Sequence, residues 1–249
     1  MFLFQQPPPT RYDLRFSIAD IPVRVHPLFW LIALLFASSG DLLLIPIWIG
    51  VIFLAILVHE LGHALAFRRY GQRSQIVLHF AGGLTIPEPV NWGSGYANVG
   101  LTANQQIFIS LAGPGAGFLL AALVLGIVFA TGGSVGIIWL LGFIPLPLNV
   151  AMSFGGRIMT ALVSALLWVT IFWGLINLVP VYPLDGGSVM RNIFVQADPI
   201  DGIRKSLWLS VIAGAVVALA GFFVFRSLFM ALLFGFLAFQ SYQSLQHRF

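Results

Sequence analysis

The sequence predicts an all-α integral membrane protein of about six transmembrane helices, carrying one short membrane-associated β-hairpin. Two observations lead there. Hydrophobic residues make up 59% of the 249 and charged residues only 8%, against roughly 25% charged in a soluble domain. The few charges are also kept out of long runs: residues 42–58, 107–130, 158–183 and 207–225 contain no Asp, Glu, Lys or Arg. Each run meets the roughly 17 to 25 residues needed to cross a bilayer.

Taken in order, Met1 to about Arg24 has a short apolar start followed by prolines and charges, which suits a tail and not a cleaved signal peptide. Val25–Ser39 is a short candidate span, and SSGD at 38–41 is its turn. Residues 42–67 then run to Arg68, Arg69 and Arg73. Ser74–Pro87 is rich in β-formers around Gly82–Gly83 and reads either as a hairpin with a free edge or as a plain interfacial loop. After the 107–130 run, SVGIIWLLGFIPLPL at 134–148 is too short to cross and ends in Pro145 and Pro147, so 131–157 is expected to be an outer-face hairpin or interfacial segment. The 158–183 and 207–225 runs follow, and Ser227–Leu245, interrupted by Gln240 and Gln243, completes six. The expected organisation is a 1–24 tail and one 25–249 polytopic membrane domain, without internal repeats.

The net charge of +4 is small and its basic residues are scattered, so they read as topology signals and not as a nucleic-acid footprint; no nucleic-acid partner is expected. Arg11, Arg15, Arg24, Arg68, Arg69, Arg73, Arg191, Arg204, Lys205 and Arg248 all fall on one face of the six-span arrangement, with Arg157 and Arg226 the exceptions. That face is the cytoplasmic one, which puts both termini there. With no cysteine in the chain, any metal must be held by His, Asp or Glu.

VHELGH at 58–63 sets two histidines and a glutamate at the end of a very apolar run. His59 lies roughly 13 Å before Arg68 along a helix, still inside the inner leaflet, where a titratable group costs at least a few kcal/mol and marks a site by default. His59 and His63 are one turn apart on one face and can reach a single metal ion, with Glu60 beside the open coordination position. The alternative is a pair of helix-interior histidines bonded to backbone carbonyls. Zinc wants a third protein ligand, and among the aspartates Asp185 stands apart: it ends NLVPVYPLDGG, where Pro180 and Pro183 break the helix and Gly186–Gly187 allow a close turn. Without HELGH in the chain it would read equally as a loop aspartate capping the next helix ahead of Arg191.

HELGH in an apolar helix, SLAGPGAG at 110–117 opening another, and NLVPVYPLDGG at 177–187 closing a third resemble, in the same order, the site-2 protease family of intramembrane zinc metalloproteases. The resemblance implies a three-helix catalytic core and one Zn2+ per chain held by His59, His63 and Asp185. It implies Glu60 as the catalytic acid/base and Asn177 as a group that positions substrate or stabilises an oxyanion. HFAGGLTIP at 79–87 is similar to a Gly-Gly segment near the family's substrate path, which makes Gly82 and Gly83 substrate-binding candidates. Residues 131–157 are too few for a PDZ domain, so the compact form is expected. The implied activity is hydrolysis of a peptide bond in or near a transmembrane segment of another membrane protein, from an active site toward the cytoplasm. The partners are then that substrate and the lipid bilayer. A divalent-metal transporter is the alternative; it would also put His and Asp in a membrane but has no use for a base at Glu60. Parity adds a condition: Asp185 can share a metal with His59 only if residues 131–157 do not cross.

Overall fold

The computed structural model describes residues 6–36, 44–88, 100–140 and 144–248; the expected turn at 38–41 lies outside them. The chain divides into two compact units, one formed by residues 6–88 and 115–174, the other containing residues 100–114 and 175–248.

In the first unit, β1 (Leu14–Ile18) and β2 (Ile21–Val25) pair antiparallel through the two-residue loop Ala19–Asp20. The chain then forms α1 (Pro27–Phe36) and α2 (Ile45–Arg69), followed by the antiparallel hairpin of β3 (Ser74–His79) and β4 (Gly82–Pro87). β2 lies parallel to β3, so the four strands make one sheet in the order β1-β2-β3-β4. The fold is mostly helical with small sheets, more strand than the single expected hairpin. Residues 24 and 25, between which the tail was expected to meet the domain, both lie in β2.

The physical reason is alternation. Ile21, Val23 and Val25 project to one face at a period of two and are buried with Phe29, Ile56 and Leu78. Arg24 is also buried, and its guanidinium donates to the Asp13 carboxylate at 2.9 Å and to the Pro7 carbonyl at 2.8 Å. A buried cation is tolerated only when paired in this way. Burial raises the Asp13 carboxyl, but the donors from Thr10 and Arg24 outweigh it and hold the group well below the usual carboxylate range.

The same unit contains most of α3 (Ala103–Ala130), the β5 (Ser134–Leu140) and β6 (Ile144–Ala151) hairpin, and α4 (Gly156–Asn177) up to Gly174. β5 and β6 thus pair antiparallel in the stretch expected to be a hairpin or an interfacial segment. Pro114 lies inside α3, a placement that transmembrane helices accept more readily than soluble ones.

In the second unit α5 (Asp185–Ala197) leads to α6 (Gly202–Phe223) and α7 (Leu228–Arg248). Gly214 approaches Ala238 so closely that an added Cβ would lie 3.0 Å from its Cβ, the small-residue packing by which apolar helices associate without a hydrophobic drive. Val181, Phe234 and Leu237 are fully buried at the core of this unit.

Among the described residues five helices, α2, α3, α4, α6 and α7, are long and apolar enough to cross a membrane. The sixth candidate, at 25–39, is described as helix only over the ten residues of α1, about 15 Å or half the hydrocarbon thickness. The run expected to continue to 183 ends as a helix at Asn177. Residues 178–184 are irregular, as Pro180 and Pro183 require.

Candidate metal and catalytic site

His59 and Glu60 are neighbours on one turn of α2 and His63 lies on the next; in that order they are 3%, 4% and 8% exposed. The Nε2 atoms of the two histidines lie 3.2 Å apart, with their rings at 79°. Two nitrogens each 2.0–2.1 Å from a tetrahedral zinc are separated by about 3.3 Å, so the pair already has the spacing of one edge of such a site. The Trp173 ring stands edge-on to His59 at 6.4 Å between centroids and helps exclude water from that side.

Glu60 meets the hairpin. The Thr85 hydroxyl on β4 lies 2.7 Å from Glu60 Oε2, to which it donates, and 3.0 Å from the Glu60 backbone carbonyl oxygen. Two residues earlier on the same strand, Gly83 leaves the space the carboxylate fills: a Cβ there would stand 2.3 Å from Glu60 Cγ and 2.4 Å from Oε1. Gly82, with φ of +121°, backs onto the Trp173 ring. The two glycines named from the sequence therefore lie against the glutamate and against a ring bordering the histidine.

Asp185 opens α5, preceded by Leu184 in an extended conformation. The two glycines after it explain how the turn is made. A Cβ on Gly186 would stand 2.1 Å from the Leu178 carbonyl oxygen, and one on Gly187 would stand 2.3 Å from the Tyr182 nitrogen. Only glycine lets the first turn of α5 pack on the backbone that precedes it. Asn177 is the last residue of α4.

One ligand atom from each of His59, His63 and Asp185 lies within 4.8 Å of the other two, the group of three or more among the described residues that can hold a metal ion. Two imidazoles and a carboxylate are a donor set that zinc accepts. His79 is not part of it. This histidine is 2% exposed, its Nδ1 accepts the Ala81 amide, and burial, then the charges of His26 and Arg24, push its pKa down to about 4. Asp198, at the end of α5, instead accepts from Lys205 on the surface, and that hydrogen bond holds the carboxyl low. Thr85 and Trp173 went unnamed by the sequence reading. Thr85 has one sequence signal, its i+2 spacing from Gly83 on a strand.

Buried histidines in HExxH spacing on a helix long and apolar enough to cross a membrane define a class, the multi-pass membrane proteins with a buried HExxH helix. Within that class the sequence profile described as peptidase family M50 matches residues 47–221, and the chain belongs to that family, the site-2 protease family. It is 24% identical over 213 residues to a curated protein named as a zinc metalloprotease from Methanocaldococcus jannaschii. That alignment covers 84% of this chain, which spans about half (52%) of the length of that relative. The fold is also similar to a solved structure described as a site-2 protease from Methanocaldococcus jannaschii, with a TM-score of 0.55 and 22% identity over 94% of this chain and 95% of that one.

Proposed function

We propose that the protein is an intramembrane zinc metalloprotease that hydrolyses a peptide bond in or near a transmembrane segment of a membrane-protein substrate. The observation that carries the reading is the grouping of His59, His63 and Asp185 beside Glu60 in a chain of a peptidase family. A divalent-metal transporter is not supported, since the family is one of peptidases and the glutamate next to the ligands is the group hydrolysis needs.

In this reading His59, His63 and Asp185 hold the ion. Zinc, when bound, polarises the scissile carbonyl and lowers the pKa of water toward about 7. Glu60 accepts a proton from the attacking water as its oxygen joins the carbonyl carbon. It returns that proton to the amide nitrogen as the C–N bond breaks, leaving a carboxylate and an amine. Asn177 donates to the oxygen on which charge develops. Trp173 and the apolar face of the hairpin limit the water that reaches the histidines. The substrate must unwind locally, since a helix shields its own carbonyls. The outer edge of β4, carrying Gly82 and Gly83, can take the extended segment by strand addition.

The reading places the site toward the cytoplasm, with both termini on that side and six crossings. The sheet supports an even count before β3. β2 and β3 are adjacent strands, so they lie on one face of the bilayer, yet α2 crosses it once on the way between them. The reading then requires one crossing in the opposite direction between β2 and α2.

Zinc content and cleavage test this together. Purified protein is expected to hold about one zinc per chain and to cut a model transmembrane segment. His59→Ala, His63→Ala and Asp185→Ala each lower both. Full zinc in the Asp185 variant would remove that residue from the site.

A further inference from the structure

We infer that Thr85 is a positioning residue for Glu60, and that its hydroxyl, not its bulk, holds the carboxylate in the orientation in which it can accept a proton. The inference rests on the reading of Glu60 as the acid/base. The motif residues do not include Thr85, and a threonine in a short strand has an obvious bland role as a β-former. Geometry separates the two roles. The side chain crosses from β4 to α2 and places Oγ1 at 2.7 Å from Oε2, with the Glu60 carbonyl oxygen at 3.0 Å. One hydroxyl proton faces two acceptors. The bond to the charged oxygen is the shorter and the stronger of the two.

Among the described residues no other side chain donates to this carboxylate, which is 4% exposed and so has little water to turn to. A glutamate side chain has three torsions, and its last is broad and roughly two-fold. Packing alone does not choose between its two oxygens. Gly83 and Thr85, on one face of β4 at a spacing of two, divide that task. The missing side chain at Gly83 gives the Oε1 side of the carboxylate its room, and the Thr85 hydroxyl fixes Oε2. The Thr85 hydroxyl thus bonds one carboxylate oxygen and leaves Oε1, on the Gly83 side, without that donor. Because Thr85 is on the strand whose outer edge is proposed to take the substrate, movement of β4 on substrate pairing is passed directly to Glu60.

The test uses Thr85→Val, which keeps the shape and strand propensity and removes the donor, and Thr85→Ser, which keeps the donor and removes a methyl. Both are purified alongside wild type and Glu60→Gln. Zinc content, melting temperature, kcat and KM are measured for each on one synthetic single-span peptide with a glycine-rich centre. The expected result is that Thr85→Val lowers kcat roughly 10- to 100-fold, with KM and zinc per chain unchanged, and that Thr85→Ser stays within about threefold of wild-type kcat. Wild-type kcat in Thr85→Val overturns the inference while leaving the proposed function intact. A loss in Thr85→Ser equal to that in Thr85→Val, or a loss that tracks zinc or melting temperature, overturns it in favour of a structural role. Cleavage by Glu60→Gln at the wild-type rate, or none by wild type, fails the proposed function itself, and this inference with it.

Discussion

Gly83→Ala is the substitution that most sharply separates stability from chemistry. The added methyl would stand 2.3 Å from Glu60 Cγ, 2.4 Å from Oε1 and 2.5 Å from Cδ, whereas ordinary contact begins at 3.4 Å. Something must move by about 1 Å. The obstructing atoms belong to the far end of a flexible side chain, and Gly83 has no positive φ to lose, so the carboxylate yields and the strand remains. The cost to the fold is then at the low end for overpacking, about 1 kcal/mol or ~2–4 °C in melting temperature. The cost to the reaction is larger, because a 1 Å misplacement of a catalytic group is worth about 10²-fold in rate. The assay is initial-rate cleavage of a model transmembrane segment by zinc-replete variant and wild type, with elemental zinc analysis on the same samples. The expected outcome is kcat down about 100-fold, zinc near one per chain and a small change in melting. Wild-type kcat would refute the placement of Glu60 under β4. A rise in KM alone would show that Gly83 contacts substrate and not the base.

Gly186→Ala is the opposite case, since its methyl would meet the Leu178 carbonyl at 2.1 Å and backbone does not yield. A loss of about 2–3 kcal/mol, or ~5–10 °C in melting temperature, with reduced zinc content is expected; unchanged values for both would contradict the packing of α5. His79 makes stability pH-dependent. Its folded pKa of about 4 lies below the ordinary 6.5, so the unfolded chain binds the proton first. Its contribution is complete above pH 6.5 and is lost as pH falls toward 4, about 2 kcal/mol of it between pH 7 and 5. His79→Asn, which keeps an acceptor for the Ala81 amide, should flatten that part of the melting-temperature profile, and an unaltered profile would assign the slope elsewhere. Reporters fused after Gly133 and after Gly156 should both report the outer face; opposite faces would show that the β5–β6 segment crosses and would break the six-span arrangement.

The parts of the site that were legible in the sequence are those set by local spacing. HELGH needs only the helical period to put His59 and His63 on one face, and DGG after two prolines announces a broken helix whose glycines do approach backbone. The apolar stretch at 134–148 is too short to cross, which suggested a hairpin or an interfacial segment, and β5 and β6 pair antiparallel there. The N-terminal sheet was harder to see. Its β1–β2 loop is Ala19–Asp20, both at positive φ, where the usual signal is Asn-Gly or Asp-Gly. Arg24 looked like a topology charge, and only the folded chain shows it buried against Asp13. The end of α4 was blurred because Val179 and Val181 continue the apolar run, and Val181 is fully buried outside any helix. Thr85 meets Glu60 across 25 residues, and its i+2 spacing from Gly83 on a strand does not by itself name that partner.

The central claim is that Glu60 moves a proton while three other residues hold the metal, and Glu60→Gln tests it most directly. The substitution keeps the volume and the acceptor for Thr85 but cannot take a proton from water. Zinc content and cleavage of a model transmembrane segment are measured side by side with wild type. Zinc at about one per chain is expected in both proteins. Cleavage in the variant is predicted to fall by at least 10²- to 10⁴-fold, the usual worth of general acid–base catalysis, with the uncut substrate still bound. Cleavage at the wild-type rate, with zinc retained, would contradict it.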